Sequence, residues 1–339
     1  TAAVAAGLAL VGLVLLWSVL EPAPSAQASV TGGIAYDVAV ADSHAFVAAG
    51  VHGLRIVDVS TPARPREVGS YDVPESASGV VVSGRRAFVF AGGALYVIDV
   101  SDPTRPRGLG VLAALGPALG AAVGDGHLFV AGGELASAGN RGLHVVDVSD
   151  PARPRKLETL TVFGPPTSSV ARAGNRLYFT AATTSNASAP TQLVVANASA
   201  APALTFAGAL PLAGIGADLD VRDGVAYVAA GGGGLRIVSL ADAARPVELS
   251  AATTSGCARQ VAVAGPRAYV VAGSSLDVVD VSNPAQPKPI GSTATSPRVG
   301  ALAAQGAHLF LAAGTDGLQV LDVSTPTQPR LVGTYLPGR

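Results

Sequence analysis

One seven-residue phrase recurs along this chain: LRIVDVS at residues 54–60, LYVIDVS at 95–101 and LHVVDVS at 143–149. It returns in weaker form as LVVANAS at 193–199 and LRIVSLA at 235–241. It is strong again as LDVVDVS at 276–282 and LQVLDVS at 318–324. The leading leucines are 41, 48, 50, 42, 41 and 42 residues apart. No helical periodicity runs between the copies, and a period of about 40 to 50 residues is that of a propeller blade with four antiparallel strands. The expected fold is all-β: a single seven-bladed β-propeller of about 28 strands, preceded by an N-terminal apolar helix.

The first repeat divides into strands at residues 36–41, 44–49, 54–59 and 66–73. Tight polar pairs such as Gly84-Arg85, Gly174-Asn175 and Asp223-Gly224 fit the two-residue turns between first and second strands, where positive φ is needed. Pro-rich turns such as STPARP from Ser60 and SDPTRP from Ser101 join third and fourth strands, because proline has no N–H for a ladder. Asp58, Asp99, Asp147, Asp280 and Asp322 precede those turns at fixed spacing and are read as structural acceptors of turn N–H groups. Each second strand carries one aromatic: Phe46, Phe88, Phe129, Tyr178, Tyr227, Tyr269 and Phe310. A large side chain once per blade is read as the filler between neighbouring sheets.

With these residues laid out, the chain resembles the LVIVD-repeat proteins, a bacterial and archaeal cell-surface group named for the third-strand phrase. The resemblance covers about residues 35–337, with Asn197 and Ser239 replacing the Asp in blades four and five. It implies a β-propeller held outside the cell. It implies no known reaction, and no functional residue can be carried over from it.

Composition narrows the classes further. Hydrophobic residues make up 49% and charged residues 13%, which excludes disorder and a charged coiled coil. A net charge of −1 removes the bulk attraction that nucleic acid requires, so no nucleic-acid partner is expected. Cys257 is the single cysteine, and no Cys/His set has zinc-ligand spacing. Asp218, Asp220 and Asp223-Gly224 look like a calcium loop, but they lack the EF-hand ligand ladder and align with a first strand and its turn. Neither metal nor cofactor is expected.

Residues 1–20 carry no charge, and 4–20 are nearly continuous Ala, Val, Leu and Gly, ending near Trp17. That length lies between a signal-peptide core and a full membrane span. The following EPAPSAQAS stretch contains Ala26-Gln27-Ala28, a pattern that signal peptidase accepts. Residues 1–28 are therefore read as a signal peptide or a membrane anchor with a Pro-rich linker, and 29–339 as the propeller. Either form places the propeller outside the cytoplasm: periplasmic, at the cell surface or secreted. An anchor would associate it with a membrane through residues 1–20.

Candidate chemistry is sought at the mouth of the central channel, where fourth-to-first connections meet second-to-third hairpins. Those positions supply Tyr36, Asp37, Glu75, Asp218, Cys257, Arg259, Gln260 and Arg298, with His52 and Asp316 further out. Tyr36, Asp37, Asp218, Arg259, Gln260 and Arg298 form the candidate ligand set. Arg259, Arg298 and Tyr36 are read as corresponding strand-start positions of adjacent blades, able to receive an anion together or to pair with Asp37 and Asp218. The set lacks a nucleophile beside a histidine and a convergent group of metal ligands. The leading reading is therefore a non-enzymatic protein-interaction or scaffold module with an unidentified protein partner. The alternative is a hydrolase or lyase using Asp37, Asp218 and Arg259.

Two surfaces are candidates for that partner. Blades three and four carry longer hairpins, at 132–141 and 181–191, bringing Glu134, Asn140, Arg141 and Asn186 to the mouth face. Loops on a rigid scaffold are where binding concentrates. The opposite face gathers fourteen of the 22 basic residues, Arg85, Arg86, Arg105 and Arg107 among them, diluted by Asp102, Asp125, Asp150, Asp223 and Asp242. It would dock an acidic partner or anionic lipid headgroups, with attraction fading as salt rises.

Overall fold

Alternating apolar residues, short turns and a once-per-blade aromatic build the same sheet repeatedly, and the computed structural model describes it over residues 33–132, 142–160, 166–182 and 191–338. Twenty-eight strands fall in these residues, grouped as seven antiparallel four-stranded sheets. Blade one comprises β1 (Asp37–Ala41), β2 (His44–Ala48), β3 (Leu54–Asp58) and β4 (Arg66–Tyr71), hydrogen-bonded in that order. The other six repeat it, down to β25 (Ala301–Gln305) through β28 (Arg330–Tyr335). First strands form the innermost ring, each beside its neighbours, and β25 lies against β1. The expected seven-bladed propeller is therefore the observed fold. The apolar segment at 1–28 lies outside the described residues. Among the described residues no helix is long and apolar enough to cross a membrane.

Each second-strand aromatic is buried between its own blade and the next. Phe46 packs with Val80, Val89 and Ile98 of blade two, and Phe310 packs with Val38, Val47 and Val57 of blade one. The recurrent aspartates perform the turn role read from spacing. Asp58, Asp99, Asp147, Asp280 and Asp322 each accept the backbone N–H two residues on, at 2.8–3.0 Å. Hydrogen bonds from Ser101 lower the Asp99 carboxyl below its ordinary range, so its contribution is present at neutral pH and lost on acidification through that lowered value. Asp99→Ala should cost about 1 kcal/mol in urea denaturation. Asp99→Asn, which keeps an acceptor oxygen as Asn197 does in blade four, should recover most of that.

A bulge interrupts the pairing of third and fourth strands in every blade, between Ile56 and Val57 in the first. Beside it stands Gly69, and Gly110, Gly208, Gly291 and Gly333 hold the same register. A Cβ at any of these would press on a backbone carbonyl of the next blade's third-to-fourth turn: Pro103, Pro151, Ala243, Pro326 and Pro62 in turn. Blade five has Ser250 there, and its hydroxyl donates to the Pro284 carbonyl at 2.5 Å. Bare backbone in the outer strand thus lets adjacent wedges close on each other.

Every sheet is made from one contiguous stretch of chain, so the ring closes without exchanging a strand. Closure between blades seven and one rests on non-covalent contacts. Ala35 and Gly314 exchange backbone hydrogen bonds of 2.9 and 3.0 Å, and Gly33 N–H donates to the Pro337 carbonyl. Gly333 meets Pro62, and the Tyr335 hydroxyl donates to Glu67, itself 3.9 Å from Arg55.

Candidate functional site: the channel mouth

Inner strands of a propeller splay apart, leaving N–H groups that have no ladder partner and must be satisfied otherwise. Two residues before the partner of each blade's aromatic lies a ring of seven positions: Asp37, Gly79, Gly120, Ser169, Asp218, Gln260 and Ala301. All seven line a cavity of about 450 Å³ that begins at Tyr36, Leu119, Ala217 and Gly300 and runs down to Arg222 and Ala304. Three of the six candidate ligand residues therefore share one ring, with Tyr36 directly above it.

The two ring carboxylates are both committed to neighbouring strands. Asp37 Oδ2 accepts the Val80 N–H at 2.8 Å in β5 (Ala77–Ser83), and its Oδ1 accepts the Val38 N–H. Asp218, in β17 (Asp218–Arg222), accepts the Val261 N–H at 2.9 Å in β21 (Ala258–Ala264), and Asp220 below it accepts the Val263 N–H at 2.8 Å. Each aspartate thereby caps an inner-strand donor of the following blade. The segment that resembled a calcium loop is this strand. Burial raises the Asp37 carboxyl against the pull of its backbone hydrogen bonds, and burial pushes the Asp218 carboxyl up to about 6.

Neither arginine lines the cavity. Arg259 occupies the bulge between Ala258 and Gln260 and donates to the Gly273 carbonyl at 2.7 Å and the Pro297 carbonyl at 3.0 Å. Arg298 donates to the Thr315 hydroxyl at 2.8 Å. Tyr36 and Arg259 correspond in register, but the blade-seven counterpart is Gly300; Arg298 lies two residues earlier, in the connection. The three are not equivalent strand-start positions, and neither arginine pairs with Asp37 or Asp218. Asp37, Asp218, Asp220 and Arg222 are the charged residues that line the cavity. Ser78, Ser169, Asp220 and Arg222 are polar lining residues outside the candidate set, and aligning blades on their aromatics would have found Ser169 and Asp220.

Glu134, Asn140, Arg141 and Asn186 lie outside the described residues. On the opposite face Arg85, Arg105 and Arg107 are exposed, whereas Arg86 is half-buried and donates to the Val148 carbonyl of blade three at 3.1 Å. The positive field there is weaker than the turn sequences imply. The third-strand aspartates end at the same face, each beside a cation: Asp58 with Arg66, Asp99 with Arg107 and Arg85, Asp147 with Arg155, Asp280 with Lys288, Asp322 with Arg330. Among the described residues no group of three or more His, Cys, Asp or Glu side chains is placed to hold a metal ion.

The LVIVD repeat signature matches residues 32–73, 74–110, 122–161, 213–254, 255–295 and 298–336. The chain belongs to the LVIVD-repeat family. The six matched repeats are blades one to three and five to seven; blade four, with Asn197 in the phrase, escapes the signature yet forms the same four-stranded sheet. No curated protein matches this LVIVD-repeat chain in sequence. Among solved structures it is similar to a functionally unknown protein from Desulfotomaculum acetoxidans, with 12% identity over 84% of this chain and 96% of that one and a TM-score of 0.64. It is similar to PorZ, a surface component of the type-IX secretion system of Porphyromonas gingivalis, with 15% identity over 89% of this chain and 38% of that one and a TM-score of 0.59. It is also similar to BamB from Moraxella catarrhalis, with 13% identity over 86% and 84% of the two chains and a TM-score of 0.54. At these identities the likeness is one of fold.

Proposed function

We propose that this LVIVD-repeat propeller is a non-enzymatic protein-interaction or scaffold module, held outside the cytoplasm, that receives its partner on the face carrying the channel mouth. The observation that carries this reading is the run of uncharged connections on the mouth face. Of the mouth-face connections, those at residues 92–93, 113–117, 211–217, 230–234, 253–257 and 273–274 contain no charged residue, whereas 72–76, 295–300 and 313–317 carry Asp72, Glu75, Arg298 and Asp316. Leu119 and Ile215 stand 55% and 48% exposed among them. Interface centres are depleted of charge in this way, whereas the opposite face is a mosaic of compensated Arg and Asp. The long hairpins of blades three and four arise on the same mouth face. PorZ, of which 38% shares this fold, is a bacterial surface component, which is consistent with a module outside the cytoplasm.

The test is retention of whatever co-purifies with the protein from its native membrane. Shortening hairpins 132–141 and 181–191 to Gly-Gly, or placing charge at the mouth face with Ile215→Asp, should reduce retention several-fold while the melting temperature is kept. Reversing Arg85, Arg105 and Arg107 to Glu on the other face should leave it unchanged. Retention that is indifferent to the mouth-face changes, or that is lost on the arginine reversal, overturns the assignment of the face.

A further inference from the structure

Blade four lacks a carboxylate that five other blades carry. In blades one, two, three, six and seven the second strand opens on a histidine or arginine directly opposite the third-strand aspartate, as Arg86 lies opposite Asp99 and Arg267 opposite Asp280. In blade four β14 (Arg176–Ala182) opens on Arg176, and opposite it stands Asn197 at the end of β15 (Thr191–Asn197). The Asn197 amide donates to the Thr205 hydroxyl at 3.4 Å and brings no charge. Arg86, at the register of Arg176, is half-buried and reaches the carbonyl of Val148 in the following blade. Arg176 is exposed and has neither an ion pair nor a hydrogen bond among the described residues.

Between Arg176 and the third-to-fourth turn of blade five lies a cleft of about 420 Å³, on the face opposite the channel mouth. Alanines make up most of its lining, Ala207 from blade four and three of the four turn residues 241–244. The fourth is Asp242, whose Oδ1 accepts the Ala244 N–H at 2.9 Å. Its Oδ2 has no partner among the described residues. A guanidinium deprived of its own carboxylate takes another in the same two-bond geometry. The Asn197 side-chain oxygen and Asp242 Oδ2 are acceptors, so the cleft also suits an N–H that accompanies the anion. One cation beside one aspartate disfavours a dianion. A monoanion and an N–H on a single carbon are what the last residue of a peptide chain presents, and backbone termini are a recurrent object of recognition.

We propose that the cleft between blades four and five seats the C-terminal carboxylate of a partner peptide. Arg176 receives the carboxylate, Asn197 and Asp242 accept the N–H of the terminal residue, and the alanines leave room for a small apolar side chain. The site lies on the face opposite the docking surface proposed above, so each stands or falls without the other.

The full chain is titrated calorimetrically with Nα-acetyl-Ala-Ala-Ala as the free acid, with its C-terminal amide, with the C-terminal amide of Nα-acetyl-Ala-Glu-Ala and with inorganic phosphate. The free acid should bind at least about tenfold more tightly than the other three. Arg176→Gln should weaken it about tenfold or more. Asn197→Asp installs the carboxylate that five blades already carry at this register. It should keep the melting temperature and weaken the free acid by a similar factor, because Arg176 is then paired within its own blade. Arg105→Gln in the turn of blade two and Ile215→Asp on the mouth face should both leave the affinity unchanged. Equal binding of phosphate or of the amidated glutamate peptide overturns the C-terminal assignment. No binding of the free acid, equal binding of its amide, or full affinity in a folded Asn197→Asp variant overturns the site.

Discussion

Gly333→Val should open the ring at the junction of its last and first blades. The residue lies in β28 against the Pro62 carbonyl of blade one, where an added Cβ falls inside contact distance of backbone. Neither partner can yield by turning a rotamer, because one is a strand and the other a proline-fixed turn. Overpacking of this kind costs about 2–3 kcal/mol. The loss is concentrated because no chain connection spans this seam and no strand is shared across it. The nearby Tyr335–Glu67 contact depends on the same approach of the two wedges. A lowered melting temperature should therefore be accompanied by faster amide exchange in the Ala35–Gly314 pair while blades three to five stay protected. Gly232→Ala, at a mouth-face glycine with open space around it, should leave both measurements at the native values. Native melting and exchange in Gly333→Val would show that the glycine–proline approach does not hold the ring shut.

Stability between pH 4 and 6.5 should be set by buried groups that act in opposite directions, His144 against Asp218, with Asp37 raised in the same sense as Asp218. His144, in β11 (Gly142–Asp147), is 1% exposed, bonds Thr159 Oγ1 at 2.9 Å through Nδ1 and has no partner at Nε2. Burial, with Lys156 adding repulsion, lowers it from 6.5 to about 4. The unfolded chain protonates this histidine first, so its stability is whole above pH 6.5 and up to about 3 kcal/mol is lost as pH falls toward 4. Asp218 is raised from 3.8 to about 6. Here the folded chain holds the proton longer, so stability is whole below 3.8 and declines as pH rises toward 6. Partial contact with channel solvent limits that decline to about 1–2 kcal/mol. The two slopes partly cancel in the native protein. His144→Gln puts in blade three what blade seven already carries at the same register, Gln319. It should leave a profile that falls with rising pH. Asp218→Asn should leave one that falls with acidification. Urea midpoints from pH 4 to 7.5 read both slopes, and parallel profiles in the native protein and His144→Gln would remove the histidine from this account.

What could be read from the chain and what could not divides along the distance between interacting residues. Leu54 and Ile56 of the repeat phrase alternate with half-buried Arg55, Asp58 reaches only two residues to its turn, and Phe46 needs only to be large. Such roles are local or periodic, so the blade, the aromatic filler and the structural aspartate were legible. The glycine beside five of the seven bulges was not, because Gly69 matters to Pro103 of the next blade and nothing near it in sequence displays that carbonyl. The mouth was misread for the same reason. Arg259 looked available to an anion, but its hydrogen-bond partners are the carbonyls of Gly273 and Pro297, and carbonyls are invisible as letters. Residue type identified Asp37 and Asp218, whereas register was needed to see that they cap the neighbouring inner strands.

Because each wedge is one uninterrupted stretch of chain, the unit of architecture is also a unit of the gene. Duplicating or deleting a segment of about forty codons adds or removes a whole sheet, and no hydrogen-bonded ladder is cut in doing so. Selection then needs only to restore ring curvature through the glycine and proline at the new boundary. Blade four shows how far such a copy can drift, having lost the family signature in its third strand while keeping its place in the circle. A chain built in this way can diversify one sector at a time, with the remaining sectors serving as an unchanged frame.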